Sequence, residues 1–300
     1  MKSKVKSGND RFQGMGDRIF NIVVTLIAVA VCIIAFYPMW YVLIASFSRP
    51  FYVSDGSVVL LPGGFTLAAY IRAFNTSSIW TGYLNTIIIT VGGVAVNMFF
   101  SVTLAYALSK KELPFKRFFT LFVAFTMWFS AGMLPLYQTI RSYHLTNSHW
   151  GIMMSFAINV YNVFILKSFF EQVPGDFEEA ARIDGANTLT VFAWIYLPLS
   201  KAALATVTLF YMVSRWNGYF WASVLLTDDD KQPLQVVLKK LIVDQTNLVD
   251  AETAITPDTL VSGTTVAYAI IVVATVPMLV VYPFIQKYFK SGVTLGGVKG

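Results

Sequence analysis

The sequence predicts an all-α membrane protein with six transmembrane helices and both termini cytoplasmic. Three observations carry this. Of 300 residues, 56% are hydrophobic and only 13% charged, against about 25% charged in an ordinary soluble domain. The apolar residues gather in runs that meet the roughly 20-residue length a bilayer demands. Lys and Arg cluster at the ends of those runs and mostly on one side, as in polytopic membrane proteins.

The first span is read over residues 19–48, thirty positions without Asp, Glu, Lys or Arg, after a basic segment of Lys2, Lys4, Lys6, Arg11 and Arg18. A cleavable signal has an apolar stretch of roughly 7–15 residues ending in a small-x-small site. This run is longer and lacks that ending, so it reads as an uncleaved span. The second span is placed over 81–108, the third over 118–137 and the fourth over 151–169. The fifth covers 202–226 and contains Arg215, and the sixth covers 266–284. With Arg215 left out as intramembrane, fifteen Lys and Arg fall on the side of the N-terminus and six on the other. The richer side should be cytoplasmic. Trp40, Trp80, Trp150 and Trp221 fall near the outer ends, where interfacial aromatics belong.

This arrangement gives a cytoplasmic segment 1–18, a six-helix domain 19–286 and a cytoplasmic tail 287–300. The outer connections are 49–80, 138–150 and a long loop 227–263. The inner ones are a basic turn at 110–117 and a longer acidic-basic segment, 171–201. The net charge of +6 follows from the topology bias, so nucleic acid is not an expected partner. Cys32 is the single cysteine and lies inside the first span, which excludes an internal disulfide and argues against a metal cluster.

The segment 171–201 has legible local physics. Pro174-Gly175 breaks the preceding helix, and Asp176 can cap a new one whose first turn holds Glu178 and Glu179, favourable to the helix dipole. Gly185 can stop that helix in a left-handed conformation. A second short helix from Thr188 carries Leu189, Phe192 and Ile195 on one apolar stripe that calls for burial. Pro198 marks the entry to the fifth span. An amphipathic hairpin on the membrane surface would explain the stripe, but not the two small residues, Ala180 and Ala181, directly after two carboxylates. Small residues let another surface approach the backbone closely.

That segment resembles the EAA loop of binding-protein-dependent ABC importer permeases. Glu179-Ala180-Ala181, then Gly185, then Ile195-Tyr196-Leu197-Pro198 match the loop's full spacing. The wording Ala-Arg-Ile-Asp-Gly-Ala is similar to the carbohydrate branch, in particular its smaller, maltose-permease-like second subunit. Arg215-Trp216-Asn217 and the tail from Thr294 to Gly300 resemble the same branch. The resemblance implies the type I ABC importer permease architecture in a bacterial cell membrane. It implies a coupling helix seated on an ATPase subunit, with Glu178, Glu179, Ala180, Ala181, Asp184 and Gly185 as coupling residues. Leu295, Gly296, Gly297 and Lys299 are implied as a second ATPase contact. The chain has no Gly-x-x-x-x-Gly-Lys-Ser/Thr phosphate loop. ATP and Mg are therefore expected on a partner, and no cofactor on this chain. The implied partners are a second permease subunit, two nucleotide-binding ATPase subunits, an extracytoplasmic solute-binding protein and membrane lipid.

For the translocation path, the candidates are Asn159, Tyr161 and Asn162 in the fourth span and Arg215, Trp216 and Asn217 in the fifth. Each has a second reading. Arg215 either lines a wet cavity or snorkels to the outer interface, roughly 10 Å away at 1.5 Å per residue. The span-four polar residues either face the path or hydrogen-bond between helices. Gly92, Gly93 and Asn97 read as sites of close helix approach. A polytopic membrane enzyme, such as a lipid-linked glycosyltransferase, is the alternative function. It should show paired carboxylates or a His/Cys set near a membrane face, whereas the acids here gather in the EAA segment and the outer loop. The substrate expected is a sugar or oligosaccharide, with Arg215 leaving an acidic one open.

Overall fold

The computed structural model describes residues 15–249, 256 and 258–296, and its regular elements are all helical. The helices are α1 (Met15–Ser46), α2 (Pro50–Ser54), α3 (Ala68–Phe74), α4 (Ser77–Ser109), α5 (Lys116–Trp128), α6 (Met133–Ser142), α7 (His149–Ser155) and α8 (Val160–Phe170). They continue with α9 (Gly175–Ile183), α10 (Thr188–Leu199), α11 (Lys201–Trp216), α12 (Phe220–Leu225), α13 (Leu234–Val249) and α14 (Gly263–Gly296). Three helices, α1, α4 and α14, are long and apolar enough to cross a bilayer unbroken. Three further pairs of helices are long and apolar enough only when taken together, each bent at a short break: α5 with α6 at 113°, α7 with α8 at 55°, and α10 with α11 at 82°.

The straight helices expected over 118–137, 151–169 and 202–226 are therefore corrected. The third breaks where Phe129 is extended and Gly132 takes a φ of 88°, which glycine reaches without steric cost. Alone, the 13 residues of α5 reach about 20 Å at 1.5 Å per residue. The fifth ends at Trp216 and restarts at Phe220. The sixth begins as expected but continues unbroken to Gly296, so the tail assigned to 287–300 starts as helix. Gly297 and Lys299 lie outside the described residues.

The outer loop 227–263 is also corrected. Its residues 234–249 form α13, which packs between α4 and α14 and buries Leu234, Val236 and Leu238. Asn85 of α4 donates to the Asp230 and Gln232 carbonyls, and Thr86 accepts from the Leu234 amide, so the start of α13 is pinned.

One core joins α4, α8, α10 and α11 through Tyr106, Leu166, Phe170, Val191, Tyr196 and Val207. A second joins α3, α4, α13 and α14. A third joins α4, α6, α7 and α12. From Ile19 to Met39 the large side chains of α1 stay exposed, and α5 buries none of its residues. Helices apolar all round belong in hydrocarbon or against another subunit.

Candidate functional site

Two places collect polar and charged groups: the break between α7 and α8, and the segment between α8 and α11. The first begins with a backbone problem. A helix broken inside hydrocarbon leaves carbonyls without partners, at several kcal/mol each. Arg215, near the end of α11, supplies the donors. Its Nη1 donates to the Ile152 carbonyl at 2.7 Å, and its Nη2 to those of Met153 at 2.9 Å and Phe156 at 2.8 Å. Its Nε donates to Asn97 Oδ1 at 2.9 Å. Asn97 completes the set, its Nδ2 reaching the carbonyls of Phe156 at 2.7 Å and Ala157 at 2.8 Å. On the far side of the break, Asn159 caps α8 by accepting from the Asn162 amide. Tyr211 Oη accepts from the Asn159 amide at 3.0 Å and shares a 2.6 Å bond with Ser101 Oγ.

Close approach makes this possible. A Cβ on Gly93 would stand 2.8 Å from Arg215 Nε, and one on Gly92 2.9 Å from the Met153 thioether. The reading of Gly92 and Gly93 as contact glycines agrees with this. Arg215 does not snorkel: its guanidinium turns to the α7 carbonyls.

The same network walls a cavity of about 870 Å³. Asn159, Tyr161, Asn162, Arg215 and Asn217 line it together, as do Asn97, Tyr211, Tyr219 and Trp221. Trp216 does not: it is 8% exposed and faces the groove between α11, α13 and α14. Sequence reasoning gave Asn97 a packing role only and passed over Tyr211. A signal existed, since Tyr211, Ser214, Arg215 and Gly218 fall at i, i+3, i+4 and i+7, on one helix face.

In the second place, α9 starts with Pro174 at its N-cap and no side-chain cap, so Asp176 sits in the first turn rather than capping it. Its end is as expected. Gly185 has a φ of 82°, its amide bonds the Arg182 carbonyl, and the Ala186 amide bonds that of Ala181 at 2.9 Å, the paired closure of a Schellman turn. Asn187 then caps α10 through the Thr190 amide at 2.8 Å. Phe192 and Ile195 pack against the inner core, but Leu189 is exposed, so the expected stripe is only partly buried.

The two faces of α9 differ sharply. Phe177, Glu179, Ala180, Ile183 and the following Asp184 and Gly185 are exposed, Ile183 at 86%. Ala181 packs against the core, and the Glu178 side chain is 14% exposed. Glu178 accepts from Lys110, from Arg182 Nη2 at 2.9 Å and from Tyr196 Oη at 2.8 Å. Burial pushes its carboxyl up, but those three donors outweigh it and bring it down to about 2. Burial likewise pulls the Lys110 ammonium down, and Glu178 with the two tyrosines more than offsets it, leaving it above its ordinary value. Nearby, Glu171 accepts from Lys116 at 3.0 Å and Lys167 at 2.9 Å, so Lys167 pairs with a carboxylate at the inner end of α8.

A family model described as the binding-protein-dependent transport system inner membrane component matches residues 9–295. The chain belongs to this family. This inner membrane component is 39% identical over 286 residues to the polygalacturonan/rhamnogalacturonan transport system permease protein YtcP of Bacillus subtilis, covering 95% of this chain and 100% of the relative. It is 38% identical over 287 residues to protein LplC of the same organism, covering 94% and 96%. Among solved structures it matches a chain of a bacterial ABC transporter involved in the import of the acidic polysaccharide alginate. That match has 43% identity and a TM-score of 0.86 over 93% of this chain and 99% of that one. YtcP is named as a transport permease and the matched structure is that of an ABC transporter, so the membrane-enzyme alternative has no support from them. The family's place in the cell membrane agrees with the apolar helices of the fold.

Proposed function

We propose that this inner membrane component forms one half of the path of an ATP-driven importer for acidic oligosaccharides, with α9 as the helix that an ATPase subunit grips. The observation that carries the substrate class is the 43% identity, over nearly the whole length of both chains, to a chain of a bacterial ABC transporter involved in the import of the acidic polysaccharide alginate. YtcP, whose name specifies polygalacturonan and rhamnogalacturonan, points to the same carboxylate-bearing sugars.

The cavity chemistry supports that class. The described hydrogen bonds of Arg215 all go to neutral acceptors, and no Asp or Glu occurs in the six spans read from the sequence. Its positive charge therefore stands uncompensated at the wall of the cavity, beside amides and phenols suited to sugar hydroxyls. In the low dielectric of a membrane such a charge acts over longer distances than in water.

On the cytoplasmic side, Glu179, Ala180, Asp184 and Gly185 present an exposed acidic and small-residue face for the ATPase groove, while Glu178 and Ala181 hold α9 to the bundle. ATP and Mg would be bound by that partner. A second permease, two ATPase subunits and an extracytoplasmic binding protein complete the assembly. Leu295, Gly296, Gly297 and Lys299 remain a proposed second contact with the ATPase.

The test is uptake by the whole complex in liposomes, comparing a uronate trisaccharide with a neutral trisaccharide of equal size. ATP-dependent uptake that prefers the uronate supports the proposal. Uptake of the neutral sugar with the uronate excluded refutes it.

A further inference from the structure

The reading of α9 as the ATPase-facing helix leaves open how a push on α9 reaches the spans. Its attachment to the bundle is slight: none of its side chains is fully buried, and only Ala181 packs against the core. The remaining link is one polar cluster. Lys110 is the C-cap residue of α4, the 33-residue span that packs against α8, α11 and α13. Its Nζ lies 4.4 Å from the ring centre of Tyr106 and 4.0 Å from that of Tyr196, and it donates to Glu178 of α9. Tyr196 donates to the same carboxylate from α10.

We infer that Lys110 is a positioning residue that makes α9, α10 and the inner end of α4 move as one body, a cation held between two tyrosine faces and the Glu178 carboxylate. This rests on the proposed coupling role of α9.

Three features set the cluster apart from an ordinary surface ion pair, which is worth little. The two charged side chains are 15% and 14% exposed. The ammonium faces two aromatic rings, an arrangement that strengthens as water is removed. The rings are themselves fixed: Tyr106 packs edge-on against Tyr196 at 5.0 Å and lies 4.6 Å from Phe192. Phe192 and Tyr196 bound a π-turn, a local widening frequent at functional sites. The three elements thus meet at one ammonium. Arg182, by contrast, reaches Glu178 from α9 itself and joins nothing further to the bundle.

The experiment uses the whole complex in liposomes, with sugar transported per ATP hydrolysed as the readout. In Lys110→Met, the ATPase subunits should still co-purify and the thermal midpoint should stay near wild type, while sugar moved per ATP falls roughly tenfold, within the usual range for coupled sites. Lys110→Arg keeps a charge that stacks on aromatic faces and should retain most of the ratio. Lys110→Met with Glu178→Gln should be no worse than either alone, because both remove one interaction. A wild-type ratio in Lys110→Met overturns the inference, and so does a loss that only tracks loss of assembly. Glu179→Lys on the outer face is the control for the underlying reading and should release the ATPase subunits. If Glu179→Lys keeps both assembly and coupling, that reading falls and this inference with it.

Discussion

Replacing Arg215 with Met keeps an apolar stem of similar reach and removes the guanidinium. The structure assigns that group four hydrogen bonds, three to α7 carbonyls and break residues and one to Asn97. Interhelical bonds in membranes average about 0.6 kcal/mol and reach about 1.7 kcal/mol, so four of them span about 2–7 kcal/mol. The substitution also removes the cost of holding a charge in the bilayer, which pulls the net loss to about 2–4 kcal/mol. Asn97 still serves Phe156 and Ala157, so the bare carbonyls would be those of Ile152 and Met153. Thermal unfolding of the detergent-purified complex, followed by tryptophan fluorescence, reads the change. Arg215→Lys should recover less than half, because a point-like ammonium cannot span four acceptors that a planar fork reaches. If Arg215→Met unfolds at the wild-type temperature, the clamp at the break is wrong, and Arg215 would be a path residue only.

Asn97→Asp would set a carboxylate where Asn97 Oδ1 now meets Arg215 Nε at 2.9 Å. The variant also loses the Nδ2 donor to the Phe156 and Ala157 carbonyls, so the break is weakened. Beyond that loss, uptake of uronate sugars should fall at least about tenfold, because a neutralising partner within about 4 Å removes most of the local field, and neutral-sugar uptake measured in parallel separates this from general damage. The Lys110–Glu178 tether should be insensitive to pH across the neutral range. Glu178 has a depressed carboxyl, near 2 in the folded chain, so its contribution is complete above the ordinary carboxylate range and is lost only as pH falls towards about 2. Lys110 is raised, so its contribution is complete below the ordinary lysine range and lost only above it. Transport per ATP measured from about pH 5.5 to 9 should be flat in this respect, and a step near pH 6–7 that Glu178→Gln abolishes would contradict the assignment.

What the sequence made legible follows from locality. The turn from α9 into α10 was read correctly because its determinants lie within a few residues: Gly185 at positive φ, a new helix from Thr188, Pro198 before the fifth span; the Asn187 cap itself was passed over. The breaks in the third, fourth and fifth spans were not read. Hydropathy sums are the same for a straight span and for a broken one, and the donors that make the α7–α8 break tolerable sit 59 to 63 positions away on Arg215 and Asn97. The case of α13 is different. Leu234, Val237, Leu238 and Leu241 fall at i, i+3, i+4 and i+7, a helical stripe, and the segment was classed as loop by its place between two spans rather than by its pattern. Glu178 was placed among the residues facing a partner because the resemblance to the EAA loop implied it. Only the fold reveals that, of the adjacent carboxylates, Glu178 is held against the bundle while Glu179 faces out.

That opposition suggests why a single helix can serve both as handle and as lever. A dock needs an exposed face that another protein can grip without disturbing the fold, and Glu179, Ala180 and Asp184 provide it. A lever needs the opposite: a point of attachment that does not slip when pulled. An apolar contact through Ala181 alone is non-directional and would let α9 roll along its groove, whereas charge-assisted bonds from Lys110 and Tyr196 to one carboxylate fix its angle. On the proposed coupling role, force would enter α4 at Lys110, and the same helix carries Asn97 about three and a half turns further along, where it holds the break that walls the cavity. A rigid α-helix advances 1.5 Å per residue, so the thirteen positions between them place the two points about 20 Å apart on one continuous rod. Motion imposed at the cytoplasmic end therefore has an unbroken covalent and hydrogen-bonded route to the residues around Arg215, with no loop between to absorb it.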